Sequence, residues 1–107
     1  MALCWVRAGI CGQETTIEVI KTSQTKVGVS FITTCEHVRR LSAELSELDI
    51  GSEMTKPMNE TVTYVLASKY LCRTSCVLPS AILKAVEVTA NLFLPASCAV
   101  EFIEGAV

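Results

Sequence analysis

Nothing in this sequence is built to grip a polyanion. Its 107 residues carry nine Lys and Arg against eleven Asp and Glu, a net charge of −2. The cations are scattered, with no basic run to follow a phosphate backbone or an anionic bilayer. Nucleic acid and membrane are therefore not expected as partners. Long apolar runs are missing too. The uncharged stretch around residues 88–100 contains Pro95 and several polar residues, short of the roughly 18 consecutive apolar residues of a membrane helix. Residues 1–7 (Met-Ala-Leu-Cys-Trp-Val-Arg) lack the basic leader and apolar run of a signal peptide, so the expected compartment is the cytoplasm.

The familiar catalytic signatures are absent as well. There is no G-x-x-x-x-G-K-[ST], no G-x-G-x-x-G, no H-E-x-x-H and no EF-hand loop. His37 is the only histidine, so Ser-His-Asp catalysis is not expected. Glu14, Glu18, Glu101 and Glu104 follow no spacing that marks an acid/base pair. Lys84 and Glu87 form an ordinary i,i+3 helix pair. Charged residues make up only 19% of the chain, below the roughly 25% typical of soluble domains. A surface short of charge suggests that part of it is covered, as in a homo-oligomer. A large core under many surface Ser and Thr is the plainer explanation.

What remains is a hydrophobic chain with good local signals. Half of its residues are hydrophobic, and its length suits a single domain, residues 1–107, with its own core. Residues 2–8, 15–21 and 26–32 read as three strands of an antiparallel meander, the second rich in β-branched residues and the third cleanly alternating. Thr33 and Glu36 form a capping-box pattern. Val38, Leu41, Leu45 and Leu48 then repeat at helical spacing, predicting one helix that ends at Asp49-Ile50-Gly51. Asn59 is a fitting N-cap for a helix over residues 59–71, although Thr-Val-Thr-Tyr-Val would also suit a strand. Pro79 fits the first turn of a last helix that ends before Pro95. On it Ser80, Lys84, Glu87 and Asn91 form a polar stripe opposite Ile82, Val86, Ala90 and Phe93. Residues 98–103 alternate and predict a closing strand. The expected fold is α+β: a single antiparallel or mixed sheet in the order β-β-β-α-α-α-β, covered by helices on one face.

Sulfur is the one chemically loaded element. Six cysteines in 107 residues fall short of the roughly 8–10% of a disulfide scaffold. A reducing compartment weakens that reading further. Each thiol is then a small core residue, a metal ligand or a reactive group. Cys11 lies in the turn Ile10-Cys11-Gly12-Gln13, where glycine permits positive φ and backbone amides can bond sulfur. With Thr33 as N-cap, Cys35 becomes the second helical residue. Its sulfur then meets free amides and the positive end of the dipole, which favour the thiolate. Cys76 precedes the Pro79 helix. Cys72 and Cys76 are four apart, not the C-x-x-C of a zinc knuckle, and one buried plus one partly exposed thiol is the simpler expectation for them. Cys4 and Cys98, within predicted strands, read as core. His37 diverges from Cys35 by roughly 200° on a helix, so the two form no local dyad. It could face Cys11 or Cys76 from across the fold, although a lone histidine on an exposed first turn is more often simply solvated.

The Cys-Gly turn at residues 11–12, the helix-start Cys35 and the segment from Cys76-Val77-Leu78-Pro79 through Lys84-Ala85-Val86-Glu87-Val88 to Leu94-Pro95 resemble a family of small uncharacterised prokaryotic proteins. That family has Cys-Pro-Val-Pro where this chain has Cys76-Val77-Leu78-Pro79. The resemblance implies grouping Cys11, Cys35 and Cys76 apart from Cys4, Cys72 and Cys98, and implies no activity. Three functions stay open. The first is a metal ion (zinc) or an iron–sulfur cluster on Cys11, Cys35 and Cys76, its fourth position filled by Cys72, His37, water or a substrate. The second is a thiol redox protein or enzyme with Cys35 as a low-pKa nucleophile, resolved by Cys11 or Cys76. The third is a structural or interaction domain whose cysteines fill the core.

Overall fold

Strands β1 (Ala2–Arg7), β2 (Glu14–Lys21) and β3 (Lys26–Thr33) form the expected antiparallel meander in the computed structural model, which describes residues 1–105. The register sets Cys4 opposite Ile17 and Ile17 opposite Phe31. Because side chains alternate along a strand, this register sends Val6, Ile17, Val19, Val27 and Val29 to one buried face. Leu3, Trp5 and Ile32 go to the other face, which stays in water. There the Arg7 guanidinium lies 4.8 Å from the centre of the Trp5 ring.

The fold is α+β, with one four-stranded antiparallel sheet ordered β1-β2-β3-β4 and helices packed on its buried face. Its fourth strand is not the expected one. Helix α1 (Glu36–Ser42) stops early, and β4 (Glu47–Asp49) pairs with β3, setting Leu48 opposite Val27. Val38, Leu41, Leu45 and Leu48 are all buried, as the helical spacing requires. That spacing cannot separate one long helix from a short helix followed by a turn and a strand. The open edge of β3 decides it, since the Val29 amide donates to the Ser46 carbonyl at 2.9 Å.

Asp49 begins a helix, not ends one. It caps α2 (Ile50–Thr55), its carboxylate accepting from the Ser52 amide at 2.9 Å. A 3-10 turn (Met58–Glu60) leads to α3 (Val62–Tyr70), a helix where strand and helix competed in the sequence. Its N-cap is Thr61, not Asn59. Helix α4 (Leu78–Thr89) has Pro79 in its first turn and packs on β1 and β2 with Leu78, Ile82, Ala85, Val86 and Thr89 inward. Burying each of the larger of these side chains contributes about 1.5–3 kcal/mol. The Thr89 hydroxyl donates to the Val19 carbonyl at 3.2 Å, tying the helix end to β2. Asn91 then adopts a left-handed φ of 61°, and the described chain beyond it forms no helix or strand. Residues 98–103 alternate like a strand but have no partner, so the predicted closing strand is absent and Phe93 is exposed. Among the described residues, no helix is long and apolar enough to cross a membrane.

Candidate functional site

At the end of the sheet where β1 and β3 finish, three segments surround a cavity of about 470 Å³. The first is the β1–β2 turn. Gly9 and Gly12 have φ of +91° and +73°, and the Gly12 amide returns to the Gly9 carbonyl at 2.9 Å. A Cβ on Gly12 would meet open space, so glycine is there for its φ and not for a close approach. This turn carries Cys11 into solvent at the rim.

The second segment joins β3 to α1. A hydroxyl ladder holds it. Thr15 and Thr33 hydroxyls meet at 2.7 Å, and the Thr34 hydroxyl donates to the Gln13 side chain at 2.7 Å. The Cys35 amide donates to the Thr33 hydroxyl at 3.0 Å. Cys35 is thus the N-cap itself and not the second helical residue, and its side chain caps no amide. Its thiol is half-buried at the cavity wall beside His37. The two diverge along the helix start yet line the same cavity.

The third segment is the loop between α3 and α4, which carries Cys72, Arg73 and Cys76. Neither cysteine is helical, so an i,i+4 face does not apply to them. The Cys76 amide donates to the Arg73 carbonyl at 3.2 Å, closing a turn that brings both thiols to the cavity. Cys76 is half-buried and Cys72 exposed. The helix-start influence assigned to Cys35 from the sequence falls on Cys76, whose thiol the Leu78 amide pulls down where α4 begins.

Burial pushes the Cys76 thiol up, and this outweighs the Leu78 amide, which pulls it down. The neighbouring charges of Cys35, Cys11 and Cys72 push it up further. Thiols from distant parts of the chain therefore bear on Cys76. Cys11, Cys35 and Cys76, and Cys72 besides, line this one cavity. As the side chains lie, no three His, Cys, Asp or Glu groups among the described residues are close enough to hold one metal ion. The thiols ring the cavity instead of converging. Each has a single χ1 rotor, whose staggered wells swing the sulfur without moving backbone.

The other two cysteines stay apart from this cavity. Cys4 is half-buried against the core, and burial first, then the Cys98 charge, push its thiol up. Cys98 is exposed and not core.

Glu53 is the buried polar residue that sequence reasoning missed. It is only 4% exposed, and its carboxylate accepts from the Val62 and Thr63 amides, each at 2.9 Å, and from the Thr63 hydroxyl at 2.7 Å. It seals the start of α3 from nine residues upstream. No spacing rule reaches that far, so it carried no local signal.

No curated protein and no solved structure matches this chain. Residues 3–102 match a family model, and the chain belongs to that family, a family of unknown function (DUF6951).

Proposed function

We propose that this protein holds an iron–sulfur cluster or a soft metal ion in the thiol-lined cavity, through Cys11, Cys35 and Cys76 with Cys72 as fourth ligand. The observation that carries the reading is that four of six cysteines, from three separate segments, border one cavity. Thiolate sets of this kind bind zinc and iron–sulfur clusters. The separation of the thiols favours a cluster over one ion. A zinc ion draws all its sulfurs to about 2.3 Å, whereas a cluster fills the space between them. The Leu78 amide, which already pulls the Cys76 thiol down, is the kind of outer group that supports a metal-bound sulfur. The resemblance that groups Cys11, Cys35 and Cys76 points the same way. The test is iron, zinc and sulfide content with a visible spectrum, on protein purified without oxygen. Stoichiometric iron and sulfide, or stoichiometric zinc, is the expected result. Metal-free protein from an oxygen-free preparation overturns the reading.

A second reading rests on the same thiols being free and not gathered tightly enough for an ion. Cys35 would attack a disulfide of a partner, and Cys76 or Cys11 would resolve the mixed disulfide. The two protein thiols become one disulfide, and the partner's disulfide becomes two thiols. Cys35→Ala separates the readings. It lowers metal content under the first, and under the second it abolishes exchange in a protein that holds no metal. Core filling alone suits Cys11 and Cys72 poorly, since both are exposed.

A further inference from the structure

Two apolar surfaces lie bare, far apart in sequence. One is the outer face of the sheet, where Leu3, Trp5, Ile20 and Ile32 stand in water. The other is the segment after α4. Leu92, Phe93, Leu94, Val100, Phe102 and Ile103 are all exposed, Phe102 to 98%. Among the described residues, backbone bonding in this arm ends with the Ala96 amide to the Leu94 carbonyl at 2.8 Å. The molecule measures 48 × 29 × 26 Å, and Cys98 of this arm lies near enough to Cys4 on β1 for its charge to act on that thiol.

Between these surfaces runs an open sheet edge. In the order β1-β2-β3-β4, β1 pairs only with β2 among the described residues, so its other side offers amides and carbonyls to a further strand. Such an edge is normally blunted by proline, a bulge or inward charge. Residues 2–7 (Ala-Leu-Cys-Trp-Val-Arg) hold no proline and no lysine, and their pairing with β2 is unbroken. Residues 98–103 match this edge in length. They alternate, with Cys98, Val100 and Phe102 on one side and Ala99, Glu101 and Ile103 on the other. Charge agrees as well. After Lys84 the described chain carries only acidic residues, Glu87, Glu101 and Glu104, whereas β1 ends in Arg7.

We propose that residues 98–103 of one copy add as a fifth strand to the β1 edge of a second copy, and reciprocally, making an arm-exchanged homodimer whose outer sheet faces are covered by the partner's arm. The exchange gives a two-fold, self-complementary contact. Each arm brings two aromatic rings, Phe93 and Phe102. At roughly 150–250 Å² apiece, with their apolar neighbours, a reciprocal pair reaches the roughly 1,200–2,000 Å² of a stable interface.

The experiment is the mass of the reduced full chain by sedimentation equilibrium, paired with hydrogen exchange of the arm amides. We expect twice the 11.6 kDa chain mass and slowed exchange at residues 98–103. Phe102→Asp should give a monomer with an unchanged circular dichroism spectrum and fast exchange in the arm. This side chain packs on nothing within its own copy, so replacing it leaves the monomer fold intact. Leu3→Asp on the receiving strand should do the same. A monomeric wild-type chain, a dimer that survives Phe102→Asp, or a dimer whose arm amides exchange freely each overturns the proposal.

Discussion

Helices α1 and α4 begin at the thiol cavity, and α2 and α3 begin away from it. The two pairs are finished differently. Asp49 caps α2, while Thr61 and the buried Glu53 close the start of α3. The starts of α1 and α4 have no side-chain cap; Cys35 is the N-cap of α1, and Cys76 stands one residue ahead of Val77, the N-cap of α4. The first amides of a helix need partners. Where oxygen supplies them, the helix end is shut. Where oxygen is withheld, the amides stay available to sulfur, and the Leu78 amide already pulls the Cys76 thiol down. One set of helix ends is closed by oxygen, and the other leaves its first amides beside thiols.

That contrast breaks most sharply if thiols and caps are exchanged as targets. Replacing Cys35 and Cys76 together by Ala should remove nearly all bound metal or cluster. The metal-free fold should barely change, because both thiols are only half-buried. Metal analysis beside thermal unfolding of metal-free protein checks both halves, and full metal content in the double variant would end the distinction. Glu53→Ala should do the reverse. It strips the Val62 and Thr63 amides and the Thr63 hydroxyl of one shared acceptor inside the protein. Losing a charged acceptor there costs about 3 kcal/mol, measurable by urea unfolding, while folded protein keeps its metal content. Thr61→Ala is smaller. The Thr61 hydroxyl accepts from the Tyr64 amide at 3.2 Å and donates to the Met58 carbonyl at 2.8 Å. Losing this cap costs about 1 kcal/mol.

How far the sequence reaches follows the same division. The meander was legible because Ile17, Val19, Val27 and Val29 alternate within single strands, and alternation is a local property. The helix over Leu41 to Leu48 was misread because those leucines are buried in either conformation, and only the β3 edge chooses. The arm at 98–103 was read as a strand for the same reason: alternation states what a segment can pair with, not whether its own chain supplies the partner. At the site, the trio Cys11, Cys35 and Cys76 could be grouped from turn and helix-start signals. Cys72 joins them only because the loop after α3 folds back through the Cys76–Arg73 turn. The helix-start influence was assigned to Cys35 because Thr33 and Glu36 look like a capping box. Thr33 instead spends its hydroxyl on Thr15 and on the Cys35 amide. Long-range partners made each of these choices.

The gentlest test uses pH, because the two kinds of helix start carry groups shifted in opposite directions. The Ser52 amide holds the Asp49 carboxyl below the usual carboxylate range. Its stabilisation is present above the unfolded value near about 3.9 and is lost as pH falls through the lower folded value. Cys76 is an acid whose folded value is raised, chiefly by burial. The fold therefore favours its neutral thiol. That contribution is present below the unfolded value near about 8.5 and is lost as pH rises through the folded one. Metal-free protein should accordingly lose a little stability at each extreme, through different helices. Asp49→Asn should flatten only the acid side of the stability–pH curve, and Cys76→Ala only the alkaline side. The size is small because Asp49 is solvated and Cys76 only half-buried. If Cys76→Ala leaves the alkaline side unchanged, another thiol governs that limb, and burial is not what holds Cys76 neutral.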